Sequence, residues 1–350
     1  MSSMPKTMKA AILTELKAPL VVAEIQMPAK LLAGQVLVKI HFSGICGSQL
    51  GEIDGVKGED KFLPHLLGHE ASGTVLETGS GVKQVKAGDK VVLHWRKGLG
   101  LESETPSFSW NGRKINAGWV TTFNEYAIVS ENRVTAIPAG SDLEVAALFG
   151  CAVITGFGVV KNNAKLRAGE SVVIFGAGGI GLNMIQAAAL AGAGPVIAVD
   201  LYDNKLELAR KIGATHVINA KRENAKEAIL AVTGRKGLDV FIDNTGQPSV
   251  IETGYQITSP QGRVILVGVP QKGRHISIYS LPLHFGKVLT GSHGGEAVPQ
   301  ADIPLYYGLF REGKIQLREL ITDRFTLDQI NEAVTGMRNG TISGRCLIKM

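Results

Sequence analysis

Cysteine is scarce in this chain of 350 residues: there are three, an odd number. That argues against a disulfide framework and suits a reducing, cytoplasmic setting. Long apolar runs are missing as well. None reaches the ~18 residues that a membrane span needs. The start, Met1-Ser2-Ser3-Met4-Pro5-Lys6-Thr7, lacks the apolar stretch of a signal peptide. No membrane partner is expected. Charge of a single sign is lacking too, since 37 Lys and Arg face 31 Asp and Glu, for a net charge of +6. The basic residues are scattered and are not interleaved with aromatics, which make up only 6% of the chain, so no nucleic-acid partner is expected. There is no internal repeat and no low-complexity tract. Charged residues are only 19% against 45% hydrophobic, which excludes long disorder and implies large cores. At roughly 100–200 residues per domain, the length suggests two domains.

Residues 8 to 150 read as strand-rich and turn-rich. Val36 to Ile40 is a short apolar run, Ser72 to Glu77 alternates, and the Gly88-Asp89 turn leads into the strand-like Lys90 to Leu93. The pattern changes after Cys151. Val172 to Phe175 is continuously apolar, as suits a strand covered on both faces. Ile180 to Ala191 then reads as a buried, Ala-rich helix, Val196 to Val199 as the next strand, and Asn204 to Ile212 as a helix capped by Gly213. Val217-Ile218, Val240 to Ile242 and Val264 to Val267 continue the strand series. Such alternation makes an α/β, doubly wound parallel sheet. Beyond residue 294 the pattern breaks again, with a helix near Leu327 to Met337 and a strand at Arg345 to Lys349.

The first apolar strand of this half runs into Gly176-Ala177-Gly178-Gly179-Ile180-Gly181. A GxGxxG motif gains meaning when it follows a strand and opens a helix, as here. Gly176 permits the tight turn, Gly178 lets the backbone approach a pyrophosphate, and Gly181 lets the helix pack on the strand. Helix N-terminal amides then face the phosphates. Asp200 closes the second strand at the ~20-residue separation that such sites use. Its carboxylate can accept ribose hydroxyls and would repel a 2′-phosphate, which favours NAD over NADP.

Three further motifs are marked by glycine: Gly44-Ile45-Cys46-Gly47-Ser48, Gly68-His69-Glu70 and Phe149-Gly150-Cys151. Taken singly, a cytosolic cysteine is usually a small buried hydrophobe and a lone histidine a satisfied core residue. The argument rests on the set and its flanks. Two thiolates and an imidazole suit Zn²⁺, and three protein ligands leave a fourth position open, as in a catalytic rather than a structural site. Cys46, His69 and Cys151 are therefore the candidate ligands of one zinc per chain. Cys346 lies in an apolar strand and is assigned to the core.

Together these residues are similar to the zinc-containing medium-chain alcohol dehydrogenases, over nearly the whole chain through Ile330-Asn331-Glu332-Ala333 and Gly344-Arg345. The two-cysteine, one-histidine set is itself the alcohol dehydrogenase pattern. The resemblance implies a GroES-like, strand-rich catalytic domain (1–151 and 294–350) and a Rossmann NAD-binding domain (152–293). It makes Ser48 the residue that takes the substrate proton and Glu70 the acidic neighbour behind the metal. Thr155 lines the nicotinamide face, Asp200 and Lys205 hold the adenosine ribose, Val267 meets the carboxamide end through its backbone, and Arg345 contacts the pyrophosphate. Gly179 and Ile180 belong to the phosphate loop. A homodimer or homotetramer is implied, with 276–289 at the contact.

Some features depart from the family. Its structural-zinc lobe carries four close cysteines, and the matching stretch, Trp95 to Gly118, has none. Gln49 stands where many relatives have an Asp that supports the liganding histidine, and a neutral amide makes the imidazole less basic. Gly51 replaces a histidine that relays the proton in some relatives. The relay then runs from Ser48 to the cofactor ribose and water, or through His65 or His94 as substitutes.

An open zinc beside a nicotinamide cofactor implies hydride transfer between an alcohol and its aldehyde or ketone. Trp95 takes the place of a pocket-lining aromatic. Arg96-Lys97 and Arg113-Lys114 read as a solvated basic loop or, if they face the cleft mouth, as favouring an anionic alcohol, and sugars and polyols stay open as substrates. Two alternatives are a zinc-free NAD(P)H-dependent quinone or enone reductase and a non-catalytic NAD-binding protein. Intact ligands speak against the first, and Ser48, Glu70 and Thr155 against the second.

Overall fold

The computed structural model describes residues 4–234 and 237–350. Contacts divide the chain into two compact units. The first comprises the chain through Cys151 with Val298–Arg311 and Leu317–Met350, and the second comprises Ala152–Ala297 with Glu312–Gln316. The sequence reading set the return to the first unit at residue 294, with no second excursion.

Strands dominate the first unit. A small closed barrel joins Thr7–Leu13, Val21–Gln26, Ser107–Trp110, Arg113–Asn116 and His65–Leu66. A seven-stranded sheet runs in the order Val134–Ile137, Lys90–His94, Glu70–Thr78, Gln35–Ile45, Arg345–Lys349 and Ile321–Thr326, with Tyr126–Ser130 also paired to Gln35–Ile45. Successive side chains of a strand point to opposite faces. Val36, Val38 and Ile40 accordingly pack together with Val75, Val91, Leu93 and Val129. Further along the same strand, Ile45 packs with Leu13, Phe123, Ile330, Cys346 and Ile348. Cys346 is thus a core residue. Each such aliphatic side chain, fully buried, contributes about 1.5–3 kcal/mol.

The stretch that lacks the cysteines of a structural-zinc lobe folds as a hairpin. Asn111 (φ 51°) and Gly112 (φ 73°) form its two-residue turn between Ser107–Trp110 and Arg113–Asn116. Both central residues at positive φ make the type I′ geometry that matches strand twist, and Asn-Gly is its favoured sequence. Phe108 and Ile115 seal the hairpin onto Met8, Ile12 and Leu66. Apolar contact holds this segment onto the barrel.

The second unit is a six-stranded parallel sheet in the order His216–Asn219, Val196–Asp200, Val172–Phe175, Leu238–Asp243, Thr258–Leu266 and Val288–Gly291. This is the 3-2-1-4-5-6 order of a doubly wound sheet, which reverses beside Val172–Phe175 and opens a crevice at the strand C-termini there. Val173, Ile197, Val199, Phe241 and Val264 fill its core with Tyr255. Helix Gly179–Leu190 is buried from Gly181 through Ala188, so its sequence is apolar all round rather than striped. The sequence reading left helices Ala225–Val232, Pro248–Ile257 and Pro299–Arg311 unassigned. Pro248 occupies the first turn of its helix, where a missing N–H costs nothing, but Pro304 lies inside its own and masks the helical pattern. Among the described residues no single helix is long and apolar enough to cross a membrane.

Candidate metal and nucleotide sites

The three candidate ligands come from separate segments of the first unit. Cys46 ends strand Gln35–Ile45 and caps helix Gly47–Ile53, its carbonyl accepting from the Gln49 N–H at 3.0 Å. His69 precedes strand Glu70–Thr78, which pairs with Gln35–Ile45 so that Ser43 faces Ala71. Cys151 follows the turn Ala147–Gly150. That turn lies directly on the sheet. A Cβ on Gly150 would stand 2.2 Å from the Leu93 carbonyl oxygen and 2.8 Å from Glu70 Cα, so only glycine lets Cys151 come this near.

Ligand atoms of Cys46, His69 and Cys151 converge within 4.8 Å of one another. His69 Nε2 is buried among them with no hydrogen-bond partner. The Cys151 thiol, then His69 and the Arg345 guanidinium, hold the Cys46 thiol well below its usual value against the opposing effect of burial. A sulfur biased toward thiolate, a second thiol and an imidazole nitrogen without a partner make a donor set that fits zinc.

Behind this group, fully buried Glu70 pairs with Arg345, which is 3% exposed. Arg345 was expected at a pyrophosphate, and its guanidinium here lies on Glu70 within the first unit. Its place follows from register, because Cys346 pairs with Ile45 at the foot of the strand that leads to Cys46. Removing one partner of such a buried pair costs about 3–5 kcal/mol. Ser48 lies in the first turn of helix Gly47–Ile53, and its buried Oγ has no hydrogen-bond partner. The Trp95 ring stands 6.4 Å from that of His69, tilted by 56°, with the Arg96 guanidinium 5.7 Å over it.

The substitute relays are not among the groups brought together. His94 is fully buried, with Nδ1 on the Arg96 carbonyl at 2.7 Å and Nε2 on Thr135 Oγ1 at 2.9 Å. Burial pushes its imidazole down to about 4, so it stays neutral and cannot pass a proton to solvent. His65 is held by Asp60 at 2.8 Å and by the Leu66 carbonyl at 2.9 Å.

Arg133 escaped the sequence reading. It is 3% exposed, donates to the Trp95 carbonyl and lies 4.7 Å over the Trp119 ring. Its neighbour Glu131 is buried and accepts from the Gln84 and Leu101 N–H groups, each at 2.7 Å. Buried charges held by backbone from distant loops leave no local pattern in a sequence.

In the second unit, Gly176 (φ 101°) turns the chain after Val172–Phe175, and Gly178 caps helix Gly179–Leu190, whose first turn holds Ile180. A Cβ on Gly181 would stand 1.9 Å from the Gly176 carbonyl oxygen. Asp200 Oδ2 accepts from the Ala177 N–H at 2.8 Å, and Oδ1 accepts from the Leu201 and Tyr202 N–H groups at 2.7 and 3.1 Å. One carboxylate thereby ties the glycine turn to the second strand. The Lys205 ammonium lies 5.0 Å over the Tyr202 ring, with Lys221 at 4.1 Å. The Val267 N–H donates to the Asp243 carbonyl at 2.8 Å. Asp243 itself was also missed. Burial raises its carboxyl, which accepts from Thr245 Oγ1 at 2.6 Å and the Gly246 N–H at 2.9 Å and so fixes the next turn. Thr155 Oγ1, on helix Ala152–Gly158, is buried without a hydrogen-bond partner.

Residues 32–139 match the alcohol dehydrogenase GroES-like domain family, and residues 179–310 match the zinc-binding dehydrogenase family. The S-(hydroxymethyl)glutathione dehydrogenase of Paracoccus denitrificans is 32% identical across 95% of this chain and 97% of that protein. Benzyl alcohol dehydrogenase from Acinetobacter calcoaceticus superimposes with a TM-score of 0.88 at 28% identity, covering 99% of this chain and all of that one. An alcohol dehydrogenase zinc-binding domain protein from Burkholderia ambifaria gives the same score and identity over 98% of this chain and 99% of that one. By its two domains, their fold and these relatives, the chain belongs to the zinc-type medium-chain dehydrogenase/reductase family.

Proposed function

We propose that this protein is a zinc-dependent, NAD-linked dehydrogenase that interconverts an alcohol and its aldehyde or ketone. The observation that carries the reading is the convergence of Cys46, His69 and Cys151 within 4.8 Å around a buried imidazole nitrogen without a partner. These three residues hold one zinc. When bound, zinc supplies Lewis-acid polarisation of a substrate carbon–oxygen bond, and NAD supplies the hydride acceptor. Each unit furnishes the residues for one of these ligands.

The chain's own groups do the rest. Ser48 Oγ accepts the substrate hydroxyl proton in oxidation as it passes its own proton on along a relay to water, and the relay runs in reverse in reduction. Glu70, balanced by Arg345, sets the charge behind the thiolates. Trp95 walls the site beside His69 and keeps water out. Amides at the start of helix Gly179–Leu190 hold the pyrophosphate. Asp200 accepts ribose hydroxyls and disfavours a 2′-phosphate, with Lys205 beside it. Thr155 faces the nicotinamide, and the Val267 backbone meets its carboxamide.

Arg96 on Trp95 favours a substrate that carries an anionic group, while Lys97 and buried Arg133 are both paired with Glu102. The relatives' named substrates, S-(hydroxymethyl)glutathione and benzyl alcohol, begin the screen. We assign the protein to a reducing, cytoplasmic compartment, which suits its three free thiols. It forms a homo-oligomer through the face around edge strand Val288–Gly291. Tyr279 and Phe285 there are 71% and 66% exposed, and Leu281 and Val288 are exposed too.

Elemental analysis of protein purified without added zinc tests the metal reading. About one zinc per chain is expected, and Cys46→Ser or Cys151→Ser should lose both zinc and NAD-linked alcohol oxidation. Full turnover by metal-free protein would sink the proposal.

A further inference from the structure

Gln49 stands between the Cys46 N–H and the His69 Nδ1 ring nitrogen. Its Oε1 accepts from the Cys46 N–H at 2.9 Å, and its Nε2 lies on His69 Nδ1. The side chain is 1% exposed, so bulk water does not intervene. A primary amide offers one acceptor oxygen and one donor NH₂ group. With the oxygen turned to Cys46, what meets the imidazole is NH₂, which can only donate. Nδ1 must then carry the lone pair, and a neutral ring places its proton on Nε2. Yet Nε2 is the nitrogen buried in the ligand group, the one that must offer a lone pair to a metal.

Rotating the amide moves the conflict without removing it. The oxygen would then accept from a protonated Nδ1, as a metal-bound histidine needs. The NH₂ would now confront the Cys46 N–H, donor against donor, at the start of helix Gly47–Ile53. Leaving a buried donor unmatched is costly. A carboxylate in the same place would accept from both groups at once.

We propose that Gln49 is a positioning residue that weakens zinc binding and makes loading of this site reversible, because its amide cannot satisfy the Cys46 N–H and a metal-ready His69 together. The inference rests on the reading that Cys46, His69 and Cys151 hold zinc.

The experiment is a zinc titration against a chelator of known affinity, on the full chain and on its Gln49→Glu variant. Outer partners of metal-ligating histidines change metal affinity about 10–100-fold, so the variant should bind zinc at least about tenfold more tightly. Nitrogen-15 NMR of the unsubstituted, zinc-free protein gives a second readout that needs no variant: His69 should carry its proton on Nε2, and on Nδ1 once zinc is added. A purely structural role for Gln49 would move the melting temperature and leave both readouts unchanged. Equal zinc affinity in the two proteins, or a zinc-free His69 protonated on Nδ1, overturns the inference and leaves the metal reading standing. If zinc binds without a defined stoichiometry and Cys46→Ser changes nothing, both fall together.

Discussion

His94 lets burial be read as pH dependence. Its imidazole stays neutral in the fold down to about pH 4, while in the unfolded chain it takes a proton near 6.5. The unfolded state therefore binds more protons across that window, and stability falls with pH through it. The loss is complete at about pH 4 and amounts to at most about 3 kcal/mol. Urea midpoints at pH 7 and pH 5 should show a clear drop, and a smaller one in His94→Gln. An equal drop in both proteins would mean that other groups carry the effect. At this scale legibility was uneven. Cys46, His69 and Cys151 could be picked out because each has glycine beside it, and Asp200 because it stands at a fixed distance from a glycine turn. Arg133 and Glu131 could not, since they are held by backbone groups from elsewhere in the fold, and Asp243 could not, since the turn it fixes through Thr245 and Gly246 carries no distinctive sequence pattern. Position 49 was legible as a departure, but the competition for its one oxygen became visible only in three dimensions.

Gly150 carries the corresponding argument for elements. The turn Ala147–Gly150 rests against strands Lys90–His94 and Glu70–Thr78, and there is no room for a side chain between them. Gly150→Ala should lower stability by about 3 kcal/mol, because the obstacle is backbone and cannot swing aside. It should also displace Cys151 and reduce bound zinc. A thermal melt with elemental analysis checks both, and an unchanged melting point with full zinc would refute the packing argument. Strands buried on both faces were readable as apolar runs, and helix Gly179–Leu190 followed from the glycine motif that opens it. The Ser107–Asn116 hairpin was announced by Asn111-Gly112, although the sequence reading attended to the cysteines missing there. Helix Pro299–Arg311 stayed hidden because Pro304 interrupts the pattern from which helices are read.

For the whole molecule, the two-part plan followed from one change of pattern after Cys151, from turn-rich strands to regular strand–helix alternation. The return of the chain was harder to place, because Glu312–Gln316 rejoins the second unit in a passage too short to carry a pattern. Self-association belongs to this scale. Phe285→Glu on the exposed face beside strand Val288–Gly291 should lower the mass seen by light scattering while leaving the fold intact by circular dichroism. An unsubstituted protein that already runs as a monomer would remove the oligomer reading.

Strand Arg345–Lys349 fills the gap between Gln35–Ile45 and Ile321–Thr326, setting Arg345 on Glu70. On the ribosome, Cys46, His69 and Cys151 emerge long before it does. Until residues 345–349 have followed them out of the exit tunnel, the central sheet has a missing strand and the Glu70 carboxylate has no Arg345. Biosynthesis therefore completes the sheet and the Glu70–Arg345 pair behind Cys46, His69 and Cys151 late, only after residues 345–349 have emerged.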